Sequence, residues 1–487
     1  MTAATNSMIS TRLDCSMTLT KKRGIVLLFF FFLQHTQTGY FSPGSGRQHT
    51  LLQTRRIGGK GMAGYLASAQ LEGSLKNRPE HVKYCLDQEK TLLILRLHGI
   101  PVRRLEQVDE VPPQRKLMLL VFQHHVLQIM KMEQETVWLH QNLFPREQEE
   151  YETLTGAETE QEIHFAKHLA VRSIYALGLE YGMVTIGAYS PKRLKVIHVT
   201  PVSEQNRLIA EAIKEYEEQE HSELESSPVI LLGADPEFVL RNQTGKMVMA
   251  SRFLTRNGKV GYDAARYREE ISLPQYPIAE LRPTPAEEPG ELFRNLYQTM
   301  RLAKKKITDS SLEWIAGGMP FAGYPIGGHL HFSGVRLTFS LLRKLDTYLM
   351  LPLALIEDQG CRMRRPRYGF FGDFREKPHG GFEYRTLPSW LISPGITKGV
   401  FALAKVIVEH YRKLRYDFSM DVRMQRAYYQ GDKEEIAPAV KRIWKELQRL
   451  SVYHSYRQDL EPFFQMLLSG REWLADKDLR IAWKLAP

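Results

Sequence analysis

The sequence predicts an α+β protein with more than one domain. Three observations carry this. The chain has 487 residues, roughly three times an ordinary domain. Between Val229 and Trp390, short apolar runs carry polar residues at spacing two, the period at which side chains of a strand share a face. Beyond Gly399 the apolar residues return at helical spacing. The boundaries drawn from these shifts are residues 1–61 as an N-terminal extension, 62–225 as a smaller α/β domain, and 226–487 as a strand-rich domain closed by helices.

Composition sets the class. Hydrophobic residues are 43% and charged residues 25% of the chain, which suits a globular core. The 34 Gly and 25 Pro show no repeat, so collagen-like and wholly disordered readings are excluded. Cys15, Cys85 and Cys361 are an odd, scattered set, which excludes a disulfide framework and a Cys-only zinc site and fits a reducing, cytoplasmic setting. The net charge of +11 suits an anionic partner such as nucleotide phosphate, nucleic acid or a polyanionic polymer, and equally an ordinary basic enzyme.

The first sixty residues differ from the rest. Lys21, Lys22 and Arg23 precede nine apolar residues, Ile25 to Leu33, too few for the ~20 that a membrane-spanning helix needs. Two readings stand. One is a signal-like segment with basic and apolar regions. In the other, Met62 is the start: the codons for Gly58-Gly59-Lys60-Gly61 can spell a purine-rich ribosome-binding sequence, and residues 1–61 are translated upstream sequence.

From Met62 to about Glu225 the pattern is mixed. Leu92 to Leu95 and Lys116 to Met130 hold apolar runs of strand length, which a buried helix fits by pattern as well. Ile163 to Leu177 is helical, with Phe165, Leu169, Ile174 and Leu177 on its apolar spacing and Gly178 as the stop. Met183 to Ile186 and Leu194 to Val199 read as two strands turned at Ser190-Pro191. Leu208 to Ser227 is an acid-rich helix and linker, a solvated boundary. Gly399 to Tyr416, Lys433 to Leu450 and Leu460 to Leu468 are helical by period.

Four elements carry chemistry. Pro228 to Leu240 is a strand pattern whose Asp235 and Glu237 share one face. Two like charges there repel unless a cation lies between them; an exposed edge with solvated acids is the other reading. Ile278 to Pro283 places Glu280 and Arg282 on one face, as a site or as a plain cross-face ion pair. Gly327-Gly328-His329-Leu330-His331-Phe332-Ser333-Gly334 sets two imidazoles on one face between glycines, suited to a divalent metal or a phosphate oxygen. Arg362, Arg364, Arg365 and Arg367 lie in six positions, a candidate anion clamp because guanidinium matches phosphate in two-pronged geometry; an exposed basic loop has the same composition. Glu383 and Arg385 then repeat the acid–Arg pair. No G-x-x-x-x-G-K-[S/T], strand-borne G-x-G-x-x-G or H-E-x-x-H is present, so P-loop, Rossmann and zincin chemistry are not indicated.

Asp-x-Glu, Glu-x-Arg, His-x-His, the Arg cluster and a second Glu-x-Arg follow one another in that order. In this order the stretch 229–400 resembles the glutamine synthetase-like carboxylate–amine ligases, and within them the phage-type amidoligases (carboxylate–amine ligase, type 2). The resemblance implies a curved antiparallel sheet with flanking helices, ATP as cosubstrate and Mg²⁺ or Mn²⁺. It implies metal ligation by Asp235, Glu237, Glu280, His329 and Glu383. It implies ATP phosphate contacts from His331, Arg362, Arg364 and Arg365, and charge stabilisation on the transferring phosphoryl group by Arg282 and Arg385. The first strand carries Asp235 where glutamine synthetase has Glu, one methylene shorter. The implied reaction joins a carboxylate to an amine through an acyl phosphate, with a peptide or a cell-wall component as possible substrates and Asp263 or Glu269 as candidate base. No specific nucleic acid and no stable membrane span are expected. A metal-dependent hydrolase and a catalytically inactive polyanion-binding protein are the alternatives. Within 62–225, Gly99-Ile100-Pro101 and Ala176 to Gly182 faintly resemble parts of an ATP-grasp domain whose usual acidic and Asn ligands are missing around Val196 to Pro201.

Overall fold

The computed structural model describes residues 75–103, 112–133, 152–153, 161–190, 193–226, 228–265, 275–378 and 380–485. All of them lie in one compact unit, Leu66–Pro487. The expectations for residues 1–61, and for Glu269, fall outside the described residues.

The chain enters through two short helices, α1 (Pro79–Cys85) and α2 (Gln88–Leu97). The run Leu92 to Leu95, of strand length by pattern, is helical. Asp87 caps α2 by accepting from the Lys90 backbone N–H at 3.1 Å, which satisfies one of the free N–H groups of the first turn. Leu92, Ile94 and Leu95 are then buried while Leu93 faces out.

A five-stranded antiparallel sheet follows, in the order β3-β2-β1-β4-β5. Its strands are β1 (Arg115–Phe122), β2 (His125–Glu133), β3 (Glu152–Thr153), β4 (Tyr181–Ser190) and β5 (Arg193–Thr200). The run Lys116 to Met130 is therefore a hairpin, turned at Gln123-His124. Helix α3 (Gln161–Ala176) packs across β1, β4 and β5, and α4 (Arg207–Ser226) leads out of the sheet.

The second sheet has eight strands: β6 (Leu231–Arg241), β7 (Met247–Val248), β8 (Val260–Ala265), β9 (Gln275–Leu281), β10 (Glu313–Ile315), β11 (Gly328–Ser333), β12 (Phe374–Glu376) and β13 (Phe382–Tyr384). Its main order is β12-β13-β11-β6-β9-β8, with β7 and β10 also pairing with β6. All pairings are antiparallel. Strand β6 organises it. Residues 231–236 pair with β11, and residues 237–241 pair with β9, β10 and β7. Pro236 has no N–H for a ladder, and it sits where the partners change.

Alternation along β6 separates two faces. Leu232, Ala234, Phe238 and Leu240 point into the core, where Phe238 stacks on Trp314 with ring centres 4.7 Å apart, worth about 0.5–1.5 kcal/mol beyond the area buried. Gly233, Asp235 and Glu237 occupy the other face. The core face is closed by α5 (Pro289–Lys306) and α9 (Pro394–His410), with α13 (Arg457–Leu468) packed behind α9. Between them the chain forms α6 (Phe339–Leu345), a π-helical turn Asp346–Met350, α7 (Leu351–Ala354) and α8 (Gln359–Arg364). Helices α10 (Val422–Gln430) and α11 (Lys433–Leu447) precede α12 (Ser451–Ser455), and α14 (Leu479–Ala482) closes the chain.

One continuous hydrophobic core runs from Cys85 to Leu485 and includes residues of both sheets. Buried polar contacts reinforce it. Glu180 pairs with Arg343, and Tyr175 donates to Asp346 Oδ2 at 2.7 Å. Among the described residues, no helix is long and apolar enough to cross a membrane.

Candidate active site

Register fixes which side chains meet. In an antiparallel pair, directly opposite residues share a face. His329 lies opposite Asp235, and His331 lies opposite both Gly233 and Glu383. Glu237 lies opposite Glu280, and Arg375 opposite Glu383. One face of the sheet thus gathers residues from β6, β9, β11, β12 and β13.

The distances are short. His329 Nδ1 donates to Asp235 Oδ1 at 3.1 Å and lies 3.3 Å from Glu383 Oε1. His331 Nε2 lies 3.0 Å from Asp235 Oδ2, yet out of line for a hydrogen bond. Ligand atoms of Asp235, His331 and Glu383 all fall within 4.8 Å of one another, the one such group of three found among the described residues. Asp235, Glu237, Glu280 and His329 are buried, and Glu383 is 0% exposed. Glu237 Oε2 accepts from the Gly327 N–H at 2.6 Å. A Cβ on Gly327 would sit 2.3 Å from His329 Nε2, so glycine there makes room for the imidazole.

Burial dominates the electrostatics. It pushes the Glu237 carboxyl up to about 7. It pushes Glu280 up to about 8, with the Asp235 charge adding to the effect. Burial acts on Asp235 in the same sense, but His329 and then His331 overcome it and hold this carboxyl well below the usual range. Burial opposes the charge on His329, but Asp235, with Glu237 and Glu383, outweighs it and raises this imidazole to about 10. Asp235 is thus ionised beside two opposed glutamates that resist ionisation, the situation a divalent cation relieves.

Cations ring Glu383. Lys377 Nζ is 2.5 Å and Arg375 Nη1 3.2 Å from its Oε2, while Arg385 Nε is 3.5 Å from Oε1. Arg385 Nε and Glu383 Oε1 are buried without a hydrogen-bond partner. Sequence reasoning named Arg385 but not Arg375 or Lys377. They lie on the β12–β13 hairpin, whose strands are three residues each; the available signal was two basic residues at spacing two ahead of Gly380-Gly381. Asp346 was also missed. It accepts from Tyr384 at 2.7 Å, next to Glu383, and nothing in its apolar surroundings in sequence marks it.

The other expected residues have different surroundings. Arg282 pairs with Glu280 and donates to the Arg256 and Gly258 carbonyls at 3.0 and 3.2 Å, so it braces an acid of the face. Asp263 lies opposite Ile278 on β8, on the Glu280 face. The Arg cluster does not form one clamp. Arg362 and Arg364 belong to α8, capped by Asp358, where residues two apart point in different directions, and Arg365 follows the helix in extended backbone. Arg362 donates to the Gln430 carbonyl at 3.3 Å. Arg364 is buried and donates to the Thr386 and Arg385 carbonyls at 2.9 and 3.2 Å. Arg365 is buried against Glu357 and lies over the Tyr428 ring at 3.8 Å. Arg364 thus supports the backbone just after β13, while Arg365 is held by an internal ion pair.

Among solved structures, the ATP-grasp ligase PsnB complexed with its minimal precursor matches at 15% identity and a TM-score of 0.20, covering 27% of this chain and 57% of that one. A bifunctional glutathione synthetase from Pasteurella multocida matches at 11% identity and a TM-score of 0.33, covering 55% and 52%. Apo GmaS matches at 12% and 0.32, covering 58% and 77%. The chain spans little more than half the length of the first of these ligases, and likenesses this distant carry neither substrate nor activity across. No curated protein matches. The model of the phage phiEco32-like COOH.NH2 ligase-type 2 family matches residues 232–485, over half of the chain and every residue of the acid and histidine face. The chain belongs to that family of carboxylate–amine ligases.

Proposed function

We propose that this protein is an ATP-dependent carboxylate–amine ligase working through an acyl phosphate. The observation that carries the reading is the convergence of Asp235, His331 and Glu383 within 4.8 Å inside a ring of Arg375, Lys377 and Arg385. The carboxylate oxygens suit Mg²⁺ or Mn²⁺, and the unpartnered Glu383 Oε1 and His331 Nε2 leave lone pairs for one. In this reading Asp235, His331 and Glu383 hold one cation, Glu237 and Glu280 hold a second, and His329 fixes the two carboxylates it lies between. Bound metal supplies charge neutralisation and alignment of the triphosphate.

The chain's own residues do the rest. Phosphoryl transfer depends on positioning and on neutralising spread negative charge. Arg385, Arg375 and Lys377 supply that charge from the β12–β13 side, and Arg282 keeps Glu280 in place. A substrate carboxylate oxygen attacks the γ-phosphorus, the bond to the β–γ bridging oxygen breaks, and ADP leaves. The amine nitrogen then attacks the acyl carbon, phosphate departs, and the ammonium proton passes to a carboxylate of the face, for which Asp263 is the candidate.

Residues 226–487 form the catalytic domain in this proposal, and residues 62–225 brace it and shape substrate access. Described cysteines Cys85 and Cys361 are buried and free, in keeping with a cytoplasmic, ATP-supplied setting. The test is ADP release with Mg²⁺, ATP and paired amine and carboxylate libraries, beside Glu237→Ala. A ligase releases ADP only when both substrates are present and loses this in the variant. Metal-dependent hydrolysis without ATP, or ADP release unchanged in Glu237→Ala, overturns the assignment.

A further inference from the structure

A cleft of about 1210 Å³ lies between the β1–β2 turn, α4 and the ends of β6, β11 and the β12–β13 hairpin. It exceeds the roughly 300–1,000 Å³ usual for a small-molecule site. Lys377 lines it and reaches Glu383 Oε2 at 2.5 Å, so the cleft adjoins the acid and histidine face.

Its charge runs against that of the chain. The protein carries +11, yet five glutamates and only three Lys or Arg line the cleft. Two of those cations, Arg336 and Arg412, pair with Glu223. Glu215, Glu287 and Glu376 are exposed and have no Lys or Arg partner among the described residues. The wall is also apolar in part: Leu224 and Val229 line it while 57% and 61% exposed. At the inner end His124 keeps 8% of its side chain exposed, and its Nδ1 is buried with no hydrogen-bond partner. Its Nε2 lies 3.5 Å from Glu376 Oε1.

We propose that this cleft holds the amine substrate as a cationic peptide segment, its apolar side chains on Leu224 and Val229 and its basic ones on Glu215, Glu287 and Glu376. This rests on the ligase reading and gives it a substrate class. Acidic walls exclude a free anion and concentrate a cation. A small polyamine would leave the apolar wall uncovered, whereas a peptide alternating basic and apolar residues covers both kinds of surface. A lysine side chain of the peptide, entering beside Lys377, brings its nitrogen to the centre where the acyl phosphate is made.

Fluorescence anisotropy tests this on the full chain without ATP, using a fluorescein-labelled peptide alternating lysine and leucine. Binding is expected, weakening with salt, and the Glu215→Gln/Glu287→Gln/Glu376→Gln variant loses affinity by about tenfold or more. These positions are exposed, and thermal unfolding confirms that the variant folds. No binding, equal binding of an alternating glutamate–leucine peptide, equal binding of a lysine–glycine peptide, or affinity untouched in the triple variant each overturns the proposal. Because no turnover is read, failure here is separate from failure of the ligase reading, which the Glu237→Ala assay decides alone.

Discussion

Asp235 and His329 stand directly opposite each other on β6 and β11, with the imidazole Nδ1 3.1 Å from the carboxylate. Neither is reached by its neighbours in sequence; the sheet register brings them together. On its other side β11 is registered with β13, which places His331 against Glu383, so four ligand-type side chains meet through the two antiparallel alignments of β11.

Asp235→Asn and Glu383→Gln are expected to weaken Mn²⁺ binding at least about tenfold each, read by electron paramagnetic resonance of free Mn²⁺. A chelator is expected to abolish ADP release, and added Mg²⁺ to restore it. Unchanged Mn²⁺ affinity in both variants removes the proposed metal centre.

Arg385→Met is expected to lower kcat by about 10²–10³-fold and to alter the KM for ATP far less. Its guanidinium faces Glu383 with Nε unpartnered, as suits a group that meets charge only as it develops. A rise in KM with kcat intact would assign Arg385 to ground-state binding instead.

Gly334→Ala tests the turn that follows β11. Gly334 has φ +75°, and a Cβ there would lie 2.1 Å from the Val229 carbonyl oxygen. Gly245 has nearly the same φ, +77°, with nothing within 4 Å of its Cβ. Both alanines carry the cost of a left-handed backbone, roughly 1 kcal/mol. Only Gly334→Ala adds a backbone clash, so its urea midpoint falls further; equal midpoints contradict the packing at the head of β6.

Stability has a predictable pH trend. Asp346 is 0% exposed, and burial pushes its carboxyl up to about 7 despite hydrogen bonds from Tyr175 and Tyr384. Below about pH 4 the carboxyl is protonated in folded and unfolded chains alike, and it adds no penalty. Between about pH 4 and 7 the unfolded chain has lost the proton and the folded chain keeps it, so stability falls as pH rises, by up to about 1.4 kcal/mol per unit. The penalty is complete above about 7. In Asp346→Asn this slope is absent, and the stability difference, wild type minus variant, declines across the window in urea titrations. A constant difference refutes the assignment.

The strand period made most of the acid face legible. Asp235 and Glu237, His329 and His331, and Glu280 all lie on strands where spacing two dictates one face, and β6, β9 and β11 carry them so. What spacing could not give was direction in the Arg cluster: composition resembles a clamp whether the backbone is loop or helix, and the chain in fact puts Arg364 on the buried side of α8 and Arg365 just past its end against Glu357. Leu92 to Leu95 illustrates the same ambiguity, since four apolar residues suit either period until Asp87 supplies the cap. Arg375 and Lys377 escaped notice because strands of three residues leave too little pattern to count.

Pro236 divides the ligand set at a seam. Upstream, Asp235 is registered with the β11–β13 group; downstream, Glu237 is registered with β9. The gap between the two proposed cation positions is therefore bridged by a single backbone unit carrying no amide hydrogen. Just beyond it the Glu237 N–H donates to the Gly327 carbonyl at 2.9 Å, so the distance between the two carboxylates is tied to the segment that leads into the histidine strand.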